Sequence, residues 1–497
     1  MQQPRSGSAM QGFGLNAYCW CRAAALALLA VGASGPATSQ TAAEPLGLAE
    51  RVTAQGAPAI DLADRLWSLA EVGYQERGSV AALTQYLTRA GFETKTGVGG
   101  IPTAFVASFG RGEPVIGLLA EFDALPGLSQ VAAPERSPVV EGAPGHACGH
   151  HLFGAASAHA GRVLAQWLVE SGRPGTIRVF GTPAEEGGSG KVYLAREGVF
   201  DGVDVMLHWH PADGNSAAPY STTANKSGRF TFTGVAAHAA AAPERGRSAL
   251  DAVEAMNFMV NLLREHVPQE SRIHYVITDG GAAPNIVPER AQVYYYVRHP
   301  DRDVTAALFD RVTRIANAAA QGTETRVAVE VMHGNYPILP NETLSRRVHD
   351  IFMSVGGIRY TPDERAFALK LRRTLPGASA RPIGSTQRIG PFAFNQRAGS
   401  TDVGDVSWQV PTVGFAAATW VPGTPAHSWQ AVAAGGMSIG HKGMLKAAQV
   451  LALTGEALFT DSTLRQAAQQ EFLRRRGDDF RYQALLGERA PPLDYRR

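Results

Sequence analysis

Apolar positions along this chain follow two different periods. Over residues 62–71 and 80–90 they recur at helical spacing, the second run closing at Gly91. Short continuous apolar runs come next, each ending at residues able to do chemistry. PVIGLLA (114–120) precedes Glu121-Phe122-Asp123, TIRVFGT (176–182) precedes Glu185-Glu186, and VDVML (203–207) precedes His208-Trp209-His210. A helical pattern over 155–170 separates the first two runs. Strands of this kind alternating with helices predict an α/β layer with a mainly parallel, largely buried sheet. The polar residues just past the strand ends lie where open α/β sheets hold their ligands.

The texture changes near Asn225. FTFT (230–233) alternates as a half-buried strand, a helical pattern covers 248–266, and strands are predicted over 271–278 and 291–297. A further helix over 304–321 and a strand over 326–332 complete the order β-α-β-β-α-β, the ferredoxin-like split unit. This predicts an α+β domain, 226–335, inserted into a first domain made of 45–225 and 336–475, with the chain returning near Pro337. Tyr296 and Val297 are expected together on the apolar or aromatic face of the inserted sheet. The basic, Pro- and Gly-rich stretch 363–400 reads as a long surface excursion. A strand over 412–418, the loop holding His427 and a helix over 440–454 follow. The charged tail, 476–497, is expected to run over the surface.

Composition narrows the function. Forty-six basic residues against 44 acidic ones give no general attraction to nucleic acid or to an anionic membrane. Arg5 and Arg22, the apolar stretch 23–31 and the small residues Ala37-Thr38-Ser39 form an export signal over 1–39, predicting a periplasmic or secreted protein. The apolar stretch is far shorter than the ~20 residues that span a bilayer. Cleavage there leaves Cys148 as the sole cysteine, so an internal disulfide is excluded.

Cys148 sits in Gly145-His146-Ala147-Cys148-Gly149-His150-His151. A thiolate and an imidazole two residues apart suit a soft-to-borderline metal ion. Glu185 and Glu186 are adjacent and so point differently, which suits one as ligand and the other as general base. His210 and His427 extend the donor set. Gly187-Gly188-Ser189-Gly190-Lys191 is not a phosphate loop, because Val192 follows the lysine and Glu185 stands where the first glycine belongs. No Gly-x-Ser-x-Gly elbow, His-Glu-x-x-His helix or paired Cys-x-x-Cys array is present.

AEFDALPGLSQ (120–130), GHACGHHLFG (145–154), TPAEEGGSG (182–190), WHP (209–211), GVAAHAAAAP (234–243), GGAAPNIVP (280–288), STDVGDVSW (400–408) and HSW (427–429) occur in this order. Together they resemble the aminoacylase/carboxypeptidase metallopeptidase clan, in the amidohydrolase branch that includes aminobenzoyl-glutamate utilization proteins and indole-3-acetyl-amino acid hydrolases. The resemblance implies a metallopeptidase-like catalytic domain with an inserted lid or dimerisation domain, working as a homodimer. It implies two divalent ions, zinc or manganese, on Cys148, His150, Glu186, His210 and His427, with Glu185 as base and then proton donor to the leaving amine. It also implies that His238 stabilises the oxyanion in a neighbouring subunit, with Asn285 and Arg298 holding substrate. Asp123 orients a ligand, and His151, where relatives have Asp or Asn, adds an imidazole behind the ligands. His208, two residues before His210, competes for its role, and Asp402 and Asp405 structure the returning domain.

The expected activity is hydrolysis of the amide bond in an N-acyl amino acid, aminobenzoyl conjugates among them. A dipeptidase or carboxypeptidase using the same centre is the nearest alternative, with a short peptide as substrate. A non-catalytic metal- or ligand-binding protein on this scaffold would have lost a ligand or the base, and the sequence retains both.

Overall fold

The computed structural model describes residues 46–375 and 381–496. The expected export signal, 1–39, lies outside the described residues. No helix among them is long and apolar enough to cross a membrane.

Twelve strands form in chain order among the described residues: β1 Glu93–Thr96, β2 Phe105–Arg111, β3 Val115–Ala120, β4 Gly175–Gly181, β5 Val205–Ala212, β6 Tyr220–Ser221, β7 Ala224–Thr233, β8 Arg272–Asp279, β9 Arg290–His299, β10 Arg326–Asn335, β11 Asn395–Gln396 and β12 Thr412–Ala418. The main sheet has the order β1-β2-β4-β3-β5-β12. Strands β4, β3, β5 and β12 are mutually parallel, while β2 runs antiparallel to β4 and to β1 at the edge. Every residue of β3 and β12 is buried, as continuous apolar runs require in a parallel sheet packed by helices. The helix His150–Ser171 packs on this sheet and against the helix Ser438–Thr460. Gly154 permits the close approach, since a Cβ there would lie 2.8 Å from the carbonyl oxygen of Glu121.

The second sheet has the order β10-β7-β9-β8, antiparallel throughout, with the helices Ala249–Leu263 and Arg302–Gly322 packed on it. It has a core of its own, built on Phe230, Phe232, Val293, Tyr295, Val297 and Phe309. Along β9, buried Val293, Tyr295 and Val297 alternate with half-buried Tyr294, Tyr296 and Arg298. Tyr296 and Val297 therefore face opposite ways, contrary to the expectation of a shared face, because side chains alternate in a strand.

Two further expectations need correction. The excursion 363–400 opens with a helix, Pro362–Arg372, started by a Thr361/Glu364 capping box and burying Ala368 and Leu371. The tail does not merely run over the surface. Leu486 is buried in the main core, the Tyr482 hydroxyl donates to Asp405 at 2.8 Å, and the Tyr336 hydroxyl donates to the Gln483 carbonyl at 2.8 Å.

Candidate metal centre

Four chain segments converge at the C-terminal ends of the parallel strands. Cys148 and His150 flank Gly149, whose φ of +78° turns the chain into the helix His150–Ser171. A Cβ at Gly149 would lie 2.7 Å from Pro211, so the absence of one lets the Cys148 segment close on β5. Strand β5 extends past the sequence-based end at Leu207 to Ala212, so His208 and His210 lie within it, one strand period apart. After β4 the chain bends sharply, with Ala184 at φ 57°, Glu186 at ψ 71° and Gly187 at φ 86°. The bend sends two neighbouring carboxylates different ways. His427 is also left-handed, at φ 60°, and its N–H donates to Ala147 O at 3.0 Å, docking that loop beside Cys148. Non-glycine residues held in this region concentrate at functional sites.

The side chains form two donor groups that share one sulfur. Cys148, His150 and His210 offer ligand atoms lying within 4.8 Å of one another, and so do Cys148, Glu186 and His427. Cys148 Sγ lies 3.5 Å from His210 Nε2, and His427 Nε2 lies 3.0 Å from Glu186 Oε1. A third grouping, Glu121, His150 and Glu185, adjoins them. His150 Nε2 lies 3.1 Å from Glu121 Oε2, yet neither atom makes a hydrogen bond, and buried Glu186 Oε1 makes none. Buried polar atoms are normally satisfied. Ligand atoms this close, three of them buried without a hydrogen-bond partner and all converging on common space, fit divalent cations. One thiol, three imidazoles and a carboxylate form a borderline-to-soft donor set.

Protonation follows from burial. His208 is pushed down to about 3 by burial and by His210. His210 is also pushed down to about 3, by burial and by His150. Both imidazoles are thus neutral, the form that ligates metal. Burial, with Glu186 nearby, drives the Cys148 thiol up, a cost that a cation at the thiolate would offset. Burial and the adjacent Glu186 likewise raise the Glu185 carboxyl, which makes its ionised form a stronger proton acceptor. Burial opposes ionisation of Asp123, but His150 overcomes it and holds that carboxyl at about 2.

Asp123 Oδ1 lies 2.9 Å from His150 Nδ1 and Oδ2 accepts the Glu186 N–H at 2.9 Å, so it orients both. His151 does not join the group. Its Nε2 lies 3.2 Å from Gly435 O, and its ring packs against His146 with centroids 4.9 Å apart. His208 lines the same cavity as His210 but belongs to neither donor group. His238 and Asn285 stand together on the inserted domain, both exposed, and line no part of this cavity. The His238 ring accepts from the Ala240 and Ala241 N–H groups, and Asn285 O accepts from Ala239 N. Arg298 reaches the cavity wall, its Nη1 donating to Ser400 Oγ at 3.4 Å.

Sequence reasoning assigns no role to Glu121, Lys191 or Arg397. Lys191 is fully buried, with its ammonium 2.7 Å from both Glu121 and Asp402. Its one legible signal, a lysine after a glycine run, points to a phosphate loop instead. Asp402 also accepts the Lys191 N–H at 2.9 Å, and Asp405 accepts from Tyr336 N, so both tie the returning segment to the first. Arg397 lines the cavity of about 270 Å³ in front of the donor groups, its guanidinium 3.7 Å over the Tyr220 ring. It lies in the segment read as a surface excursion, which hides its signal.

A sulfur shared by two donor groups, with a raised carboxyl beside it in a cavity at the strand ends, defines a metal-dependent hydrolase. A family model described as a peptidase dimerisation domain matches residues 220–324. A p-aminobenzoyl-glutamate hydrolase component of Escherichia coli (strain K12) is 42% identical over 437 residues, covering 83% of this chain and 91% of that protein. The Xaa-Arg dipeptidase of Mus musculus is 30% identical over 431 residues, covering 83% and 88%. A solved aminobenzoyl-glutamate utilization protein from Klebsiella pneumoniae shares the fold, with a TM-score of 0.54 at 20% identity over 83% of this chain and 98% of that one. The chain belongs to the M20 peptidase family, among its amidohydrolases, and acts on amide bonds.

Proposed function

We propose that this protein hydrolyses N-acyl amino acids, aminobenzoyl-glutamate among them, at a two-metal centre held by Cys148, His150, His210, Glu186 and His427. The observation that carries this reading is the single Cys148 sulfur common to both donor groups. Zinc would suit the thiolate and manganese the carboxylate and imidazoles, and a cysteine common to both donor groups would favour zinc. When bound there, the ions would supply Lewis acidity toward the scissile carbonyl and the attacking water.

The chain's own groups do the rest. Asp123 fixes the His150 ring and the Glu186 backbone, so both ligands arrive oriented. Glu185, half-buried at the cavity and raised in pKa, takes the water's proton and delivers it to the departing amine nitrogen. His238 we assign to the neighbouring subunit's site in a homodimer, where it donates to the developing oxyanion. Asn285 contacts substrate at the same boundary.

Two guanidiniums flank the Ser400 wall, Arg298 from the inserted domain and Arg397 from the returning segment. Neither forms an ion pair with a carboxylate among the described residues, so both are available to substrate carboxylates. That supports an acidic amino acid as leaving group, in keeping with the p-aminobenzoyl-glutamate hydrolase relative. We further propose export on the strength of the 1–39 pattern.

Glu185→Gln keeps the size of the side chain and removes the base. The expected result is retained metal with hydrolysis of aminobenzoyl-glutamate lowered by roughly 100-fold or more. Turnover equal to wild type would remove Glu185 from the reaction.

A further inference from the structure

The bend at 184–189 is the most strained stretch of backbone at the site, with Ala184 and Ser189 at φ 57° and 56° around the Glu186–Gly187 kink. Such a conformation persists only when its surroundings hold it. Three of the holding contacts come from within the catalytic domain. Glu76 accepts the Ala184 N–H at 2.9 Å, the Tyr74 hydroxyl donates to Gly188 O at 2.7 Å, and Asp123 accepts the Glu186 N–H. The fourth comes from the far end of the chain. The Tyr495 hydroxyl donates to the Glu186 carbonyl at 2.9 Å, so both sides of the ligand's backbone are fixed.

The tail is built to deliver that hydroxyl. Tyr495 packs edge-on against Tyr74 with centroids 5.6 Å apart. Gly73 leaves room for it, since a Cβ there would lie 2.4 Å from the Tyr495 oxygen. Gln75 donates to Leu493 O at 2.7 Å, and Arg496 donates to Ala124 O, next to Asp123, at 3.4 Å. Further back, Arg196 donates to the carbonyls of Gly487 and Arg489 at 3.0 and 2.8 Å, and Arg489 pairs with Glu330 of β10 at 3.2 Å. The tail is thus anchored on both domains before it reaches the site.

We infer that the C-terminal segment is a working part of the metal site, with Tyr495 a positioning residue that sets the Glu185–Glu186 carboxylates through the Glu186 carbonyl. This rests on the proposed amidohydrolase reading. Loss of the hydroxyl leaves the segment packed but frees one side of the bend, so the base and its neighbouring ligand lose their mutual setting. Displacements of about 1 Å at such groups cost up to about 100-fold in rate.

The test compares wild type, Tyr495→Phe and a chain shortened after Pro492 in three measurements. These are melting temperature, the affinity for the second equivalent of zinc, and kcat and KM on aminobenzoyl-glutamate. Tyr495→Phe is expected to melt within about 2 °C of wild type, since one neutral hydrogen bond is at stake. Its kcat falls about 10-fold with KM changed less than about threefold, and the second zinc binds more weakly. The shortened chain shows the same pattern, larger. Wild-type kcat and zinc affinity in Tyr495→Phe overturn the inference, as does a loss of activity that only follows a fall in melting temperature. A wild-type chain inactive on every N-acyl amino acid would instead remove the functional reading beneath it.

Discussion

Glu76 shows how a residue remote from the chemistry serves it. Its carboxylate holds Ala184 while fully buried, one oxygen lacking any hydrogen bond, and burial together with Asp123 pushes it up to about 8. An ordinary glutamate ionises near 4.5, so the folded chain keeps a proton that the unfolded chain has released. The stability this contributes is complete below about pH 4.5 and is lost as pH rises through about 8, by up to about 1.4 kcal/mol per pH unit. Glu76→Gln keeps an acceptor for Ala184 and cannot ionise. Its stability relative to wild type should rise between pH 5 and about pH 8 and level off above that, as measured by urea unfolding. A difference independent of pH would mean that Glu76 is already ionised at the lower value. At this scale the sequence discloses ligands better than their supports. Cys148, His150, Glu186, His210 and His427 are chemically distinctive in their spacing, and they do converge. Lys191, Glu121 and Glu76 act through burial, which no local pattern encodes.

Elements are legible where one period persists. The apolar runs of β3 and β4, the alternation along β9 and the β-α-β-β-α-β order can all be read from spacing. Boundaries are less legible, as β5 runs on to Ala212 through residues whose polarity suggests a loop. Tertiary burial overrides polarity there, because His208 and His210 face a cavity rather than water. The helix Pro362–Arg372 and the tail escape the pattern for another reason. Both are rich in charge, and their inward residues, Ala368, Leu371, Leu486 and Tyr495, are too sparse to set a period. Arg397 is hidden the same way. Paired as β11 with β6, the strand just before it stays exposed yet sets Arg397 against the cavity.

At the scale of the whole molecule, the two cores divide the work. The main sheet gathers the donor groups, and the inserted sheet carries Arg298 to their rim while leaving His238 and Asn285 exposed. An exposed pair outside its own chain's cavity makes sense if each serves a second copy. Subunit mixing tests this. Glu185→Gln and His238→Ala chains, each inactive alone, should regain about one quarter of wild-type activity when co-expressed, since half the dimers are mixed and each holds one intact site. No recovery would place His238 in its own chain's site, and full activity of His238→Ala alone would place it outside the reaction. Cys148, common to both donor groups, would help hold two ions, and a metal count tests this. Elemental analysis of metal-replete protein should give two divalent ions per chain in the wild type and one or fewer in Cys148→Ala. Two ions retained in Cys148→Ala would contradict the account.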